Sequence, residues 1–144
     1  MACGTPIPRG GRLTGHKTDK TASRPCVLVV EDDNATRRSL QLLLRSRGLD
    51  VRAHSSASQA LADKRARAAS CLVADLMMPE VDGVALLKAL RAEGWDRPAI
   101  LISGFLTPER KSAAKDAGFH SVLEKPLADT LLLSTVTRAL QSAA

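Results

Sequence analysis

From Cys26 onward, short apolar runs alternate with stretches of helical periodicity. Cys26-Val27-Leu28-Val29-Val30 is continuously apolar, the pattern of a parallel strand covered on both faces. Beyond it, Leu40, Leu43 and Leu44 fall on one face of a helix that Asn34 can cap and Gly48 ends. Asp50-Val51-Arg52-Ala53-His54 instead alternates polar and apolar positions, which predicts an edge strand. A weak Ala-rich helix at about 56–68 leads to the run Cys71-Leu72-Val73-Ala74. Gly83 opens a helix with Val84, Leu87 and Leu90 at helical spacing, ended near Gly94. Pro98 precedes a strand at 99–102, Thr107-Pro108 reads as N-cap and first helical residue, and Gly118 as the stop. After a short strand at 121–124, a last helix carries Leu132, Val136, Ala139 and Leu140 on one face. Five strand–helix units in this order predict a single α/β domain with helices on both faces of a parallel sheet.

Four of these runs deliver a polar group at the C-terminal end. The first ends in Glu31-Asp32-Asp33, the third in Asp75, the fourth in Ser103-Gly104, and Val122-Leu123-Glu124 ends in Lys125-Pro126. In a parallel sheet those ends lie on one edge, where open α/β folds place their sites. An acid pair, a lone acid, a hydroxyl and an amine on that edge suit a phosphoryl group accepted by Asp75. Attack of one anion on another calls for Mg2+ (or Mn2+) bridging the carboxylate and the incoming oxygens. Magnesium prefers octahedral oxygen ligands and keeps several waters, so two or three carboxylates suffice. Asp32 and Asp75 are the best candidates, with Glu31 acting directly or through water. Lys125 would neutralise the phosphoryl oxygens and the Ser103 hydroxyl would donate to one of them. Taken singly, Lys125 reads as a solvated surface lysine and Ser103 as a strand-end cap; the set carries the assignment. Asp33 is expected only to start the following turn, and Pro79 and Gly83 only to shape the loop after Asp75. His16, His54 and His120 share no acid neighbour at ligand spacing.

The order and spacing are specific: Asp75 stands 43 residues beyond Asp32, Ser103 28 further on, and Lys125 22 beyond that. Over about residues 26–142 the chain resembles the receiver domain of two-component response regulators. The resemblance implies a (βα)5 flavodoxin-like fold, a five-stranded parallel sheet of order 2-1-3-4-5, with the 50–54 strand on an edge in agreement with its alternation. It implies that a sensor histidine kinase or a histidine phosphotransfer protein phosphorylates Asp75, and that the domain signals by phosphorylation-dependent docking to a downstream protein. Such a domain catalyses its own phosphorylation and slow dephosphorylation without turning over as an enzyme, and acts as a monomer or a phosphorylation-dependent dimer. The resemblance also adds the Met77 backbone carbonyl as a metal ligand. It puts Met77 and Phe105 at the positions flanking the approach of a hydrolytic water. The family's switch draws Ser103 toward the phosphoryl group and shifts an aromatic residue three positions before the lysine. That position here is Val122, so output is expected to rely on the loop and helix after Ser103. The helix at 107–117 is apolar only through Ala113, Ala114 and Ala117, so its attachment should be weak. With strand 121–124 and the last helix, it forms the expected output face.

Three alternatives compete with this reading. A phosphatase of the haloacid dehalogenase type would also use an Asp nucleophile, a hydroxyl, a lysine and acid-bound Mg2+. It carries a second acid two residues after the nucleophile to protonate the leaving group, and here that residue is Met77; no cap domain is evident either. A phosphorylation-independent binding module would not need a complete acid pocket. A receiver fragment of a larger transcription regulator remains open, although the start at Met1 and the short end Ser142-Ala143-Ala144 favour a stand-alone form. A Gly-x-x-x-x-Gly-Lys loop is absent, which leaves a nucleotide-hydrolysing domain unsupported.

Composition refines the picture at the N-terminus. Residues 1–25 hold Arg9, Arg12, Lys17, Lys20 and Arg24 against Asp19 alone, so +4 of the +6 net charge lies there and the rest is nearly neutral. With Pro6, Pro8, Gly10, Gly11 and Gly15 and few apolar residues, this tail is expected to be disordered and dispensable for folding. An electrostatic grip on nucleic acid or an acidic partner is the alternative, weakened because no aromatic interleaves the charges. No apolar stretch is long enough to cross a bilayer and no secretory signal opens the chain, so a cytoplasmic location is expected. Aromatics make up only 2%, which predicts an aliphatic core for residues 26–144. Cys3, Cys26 and Cys71 lack metal spacing; a Cys26–Cys71 disulfide stays open if their strands are neighbours, and no cysteine is given a function.

Overall fold

A computed structural model describes residues 24–142, so nearly all of the basic tail lies outside the described residues. Five parallel strands, β1 (Cys26–Val30), β2 (Asp50–His54), β3 (Cys71–Asp75), β4 (Ala99–Ser103) and β5 (Ser121–Glu124), form one sheet in the order β2-β1-β3-β4-β5. Helices α1 (Asn34–Arg45), α2 (Ala57–Ala62), α3 (Gly83–Ala92), α4 (Pro108–Ala117) and α5 (Asp129–Ser142) connect and cover it. The continuous apolar runs are explained by two buried faces. Val27, Val29, Val73, Ile100 and Ile102 face Leu40 and Leu44 of α1 and Leu132 and Val136 of α5. The intervening Leu28, Leu72, Ala74 and Leu101 face Leu86, Leu87 and Leu90 of α3. Strand order reverses between β1 and β3, which opens a crevice at their C-terminal ends.

The core is not wholly aliphatic. Trp95 and Phe119 are both buried, and the Trp95 indole donates to the Ala69 carbonyl at 3.0 Å. Thr107 and Gly118 bound α4 as expected: Thr107 Oγ1 accepts from the Arg110 amide, and Gly118 takes the left-handed conformation that residues with a Cβ resist. The cap of α1 is one residue earlier than expected. Asp33, not Asn34, accepts from the Thr36 amide and hydroxyl at 2.8 and 2.7 Å, and Asn34 is the first helical residue. Cys71 is a free, buried thiol that burial pushes up to about 12, so no Cys26–Cys71 bridge exists and Cys71 is unreactive.

The Ala-rich helix expected at 56–68 is broken in two. Asp63 interrupts it in extended backbone, between α2 and a 3-10 turn at Lys64–Ala68. The cause lies on the edge strand. Arg52 Nε and His54 Nε2 reach the same Asp63 oxygen at 2.7 and 2.9 Å, while the Arg65 amide donates to the other at 3.0 Å. His54 thus acquires an acid partner that its sequence neighbourhood does not contain. Burial alone would raise the Asp63 carboxyl, but hydrogen bonds from Arg52, His54 and Arg65 outweigh it and lower it from 3.8 to about 2. A carboxyl lowered by folding stabilises the fold fully above its unfolded value, near pH 4, and this contribution fades as pH falls toward 2. Asp63→Asn should therefore cost about 1–2 kcal/mol at neutral pH and reduce the loss of stability between pH 4 and 2. Denaturant titrations across that range check this; parallel acid profiles for the two proteins would exclude Asp63 as the source.

Candidate functional site

Parallel registry brings the expected residues to one edge. Asp75 is paired with Ile102 and Ser103 with Glu124, and the ladder extends past the strands through Leu76 N–H to Ile102 O and Lys125 N–H to Ser103 O, both at 2.8 Å. Glu31 continues β1 in the same way, its amide donating to His54 O at 3.1 Å. Glu31, Asp75 and Ser103 are buried while Asp32 is exposed at the rim.

Lys125 is the hub. Its Nζ donates to Glu31 Oε1 at 2.8 Å and to Asp75 Oδ2 at 3.3 Å. The second Glu31 oxygen accepts from the Asp33 amide at 3.0 Å. Burial pushes the Glu31 carboxyl up, with the negative charge of Asp75 adding to it, against the hydrogen bonds from Lys125 and Asp33. Burial works to lower Lys125, but the Glu31 and Asp75 carboxylates outweigh it and the net shift is upward, so the amine stays an ammonium ion. This half-buried cation therefore sits between two carboxylates rather than in solvent.

Glu31, Asp32 and Asp75 each offer a carboxylate oxygen, and these atoms all lie within 4.8 Å of one another. That span is close to twice the Mg–O distance of about 2.1 Å, so the three acids fit one hard divalent ion with waters completing its shell. The Met77 amide approaches Asp75 Oδ1 at 3.4 Å, so the backbone turns back over the acid directly after the strand. Ser103 Oγ accepts from the Phe105 amide at 3.1 Å. Met77 and Phe105 are 50% and 72% exposed, unusual for large apolar side chains.

Two further residues shape this edge. Arg37 is not singled out by the sequence; its guanidinium donates to Glu31 O at 2.9 Å and to Asn34 Oδ1 at 2.6 Å, tying α1 to the acid loop. Gly83 does more than shape a loop. A Cβ there would lie 2.6 Å from Asp75 O and 2.8 Å from Leu101 Cδ1, so α3 starts in direct contact with the backbone of Asp75. The only advance signal for either was proximity to the acids.

A family model of the response regulator receiver domain matches residues 27–137. The response regulator protein TodT of Pseudomonas putida is 34% identical over 128 residues, covering 89% of this chain and 55% of TodT. The transcriptional regulatory protein FixJ of Azorhizobium caulinodans is 36% identical over 114 residues, covering 79% of this chain and 54% of FixJ. The chain thus spans about half the length of these relatives. The crystal structure of FixJ-N aligns with a TM-score of 0.74 at 33% identity, covering 83% of this chain and 95% of that one. These likenesses favour the receiver over the phosphatase alternative, and the flavodoxin-like strand order agrees with them. A match that extends from the first strand into the last helix makes this chain a member of the response regulator receiver domain family.

Proposed function

We propose that Asp75 is the phosphoacceptor of this receiver, and that the observation carrying this reading is the Lys125 ammonium shared between Glu31 and Asp75. An Asp75 oxygen bonds to the phosphorus of a phosphohistidine while the P–N bond breaks. The electron pair departs on the imidazole nitrogen, which takes up a proton. Glu31, Asp32, Asp75 and the Met77 carbonyl would hold Mg2+ (or Mn2+), which when bound offsets the charge of the attacking and incoming oxygens. Glu31 keeps Lys125 charged and aimed at Asp75, Lys125 attracts the phosphoryl oxygens, and the Ser103 hydroxyl donates to one of them. Incubation with acetyl phosphate and Mg2+ tests the reading: intact mass should rise by one phosphoryl group.

The donor is a histidine kinase or phosphotransfer protein that covers this edge. An apolar groove of about 520 Å3 opens beside Lys125, between α1 and the 125–129 segment, and gives such a protein a surface to grip. The receiver works in the cytoplasm, where such a donor reaches it; no helix among the described residues is long and apolar enough to cross a membrane. Output is read by a downstream protein docking on α4, β5 and α5. Of α4 only Ala114 is buried, so this helix is held lightly and shifts at low cost.

The phosphorylated state should be long-lived. Hydrolysis needs a water held in line with the Asp75 oxygen, and Met77 and Phe105 offer it no hydrogen bond while their bulk excludes it. Met77→Asn and Phe105→Glu should each speed phosphate loss about tenfold, a change equivalent to about 1.4 kcal/mol in the barrier. Decay measured by intact mass at constant Mg2+ checks this. Fast wild-type decay unchanged by either substitution would defeat it.

A further inference from the structure

Ser103 is the buried last residue of β4, and the Gly104-Phe105 loop that follows it is exposed. Gly104 has open space around the position of a Cβ, and the Phe105 side chain is 72% exposed. The Phe105 peptide is nevertheless gripped from both sides. Its N–H donates to Ser103 Oγ at 3.1 Å, and its carbonyl accepts from Arg110 Nη1 at 2.8 Å. Arg110 is itself anchored, because its amide donates to the Thr107 cap at 3.1 Å. Its guanidinium makes no ion pair among the described residues and borders a cleft of about 320 Å3 between α3 and α4, so the Phe105 carbonyl is its one hydrogen-bonded target.

We infer that Arg110 is a positioning residue for the Ser103 hydroxyl, acting through the Phe105 peptide. A serine oxygen that accepts an N–H keeps its single proton for donation elsewhere. Holding the Phe105 peptide in place therefore keeps the hydroxyl a donor, directed away from its own loop. Without Arg110, the exposed Gly104-Phe105 segment rotates freely and the Ser103 hydroxyl spends less time aligned. The same chain of bonds connects Ser103 to the first turn of α4, where Val122 leaves no aromatic side chain to do so. The inference rests on the proposed role of Ser103 as a donor to the phosphoryl group.

Labelling by acetyl phosphate at saturating Mg2+ tests it with four substitutions: Arg110→Ala, Arg110→Lys, Ser103→Ala and the Arg110→Ala/Ser103→Ala double. Arg110→Ala should slow labelling about three- to tenfold, the range open to one hydrogen bond. Arg110→Lys, which keeps one donor, should recover part of that rate. The double variant should be no slower than Ser103→Ala alone, because both changes remove the same alignment. A merely structural role of Arg110 would instead slow the two backgrounds equally. Wild-type labelling by Arg110→Ala, or losses that multiply in the double variant, would overturn the inference while leaving the role of Ser103 intact. Wild-type labelling by Ser103→Ala would overturn both. Equal thermal midpoints for wild type and Arg110→Ala exclude unfolding of α4 as the cause.

Discussion

Asp75→Asn should take up no phosphoryl group from acetyl phosphate, under conditions in which the wild-type chain takes up one. The amide has no anionic oxygen to attack phosphorus, and no other acid on this edge can substitute. Asp32 is exposed at the rim, and both Glu31 oxygens are engaged, one by Lys125 and one by the Asp33 amide. Excess EDTA should abolish wild-type labelling as completely as the substitution, because three acids converging within 4.8 Å repel an incoming phosphate unless a cation intervenes. The fold should survive. Removing one of two buried carboxylates that share a single ammonium relieves like-charge repulsion, so the thermal midpoint of Asp75→Asn should equal or exceed that of wild type. Intact-mass spectra and thermal melts on the same samples check both halves. Undiminished labelling of Asp75→Asn, or of wild type in EDTA, would rule out the site, and multiple turnover on simple phosphomonoesters would restore the phosphatase reading.

Gly83→Ala should destabilise the domain by about 1–3 kcal/mol, a fall of roughly 5–15 °C in thermal midpoint. The added Cβ would meet the Asp75 carbonyl oxygen at 2.6 Å and a Leu101 methyl at 2.8 Å. Leu101 could turn aside, but the carbonyl belongs to the backbone of a central strand and cannot. Relief must come from moving the start of α3 away from β3 or from displacing Asp75 itself. Labelling should therefore slow in the fraction that remains folded. Gly104→Ala is the control. Nothing lies within 4 Å of that position, so the same added methyl on the neighbouring loop should change stability by no more than about 0.5 kcal/mol. Indistinguishable melts for Gly83→Ala and Gly104→Ala would show that α3 docks less tightly on Asp75 than these distances require.

The elements of this domain were legible because their signals are local. Continuous apolar runs marked β1, β3 and β4, since a strand covered on both faces has no position to leave polar. Alternation marked β2 as an edge, with Val51 and Ala53 turned toward the core and Arg52 and His54 turned away. The Thr107-Pro108 start and Gly118 stop of α4 depend on neighbours within a turn and fell where expected. Strand order is different in kind. Periodicity says nothing about which strands are adjacent, and the order came from the likeness of the whole motif set.

Tertiary structure alone decided the interactions that act across the chain. Nothing near residue 63 reveals that the helix must break there, because the groups that draw Asp63 out are Arg52 and His54 on a separate strand. The exchange of Asp33 for Asn34 as cap is finer: both residue types suit the position, and the geometry of the acid loop selects between them. The contacts of Gly83 and Arg110 carry no sequence signal, because each is made with a backbone carbonyl oxygen, and every residue type carries one. The site itself divides in the same way. Asp75, Ser103 and Lys125 could be singled out because each ends a recognisable apolar run, an identity that residue type and spacing encode. That Lys125 would bind Glu31, 94 residues away, as well as Asp75 was decided by the parallel sheet, which alone brings those strand ends within reach of one ammonium ion.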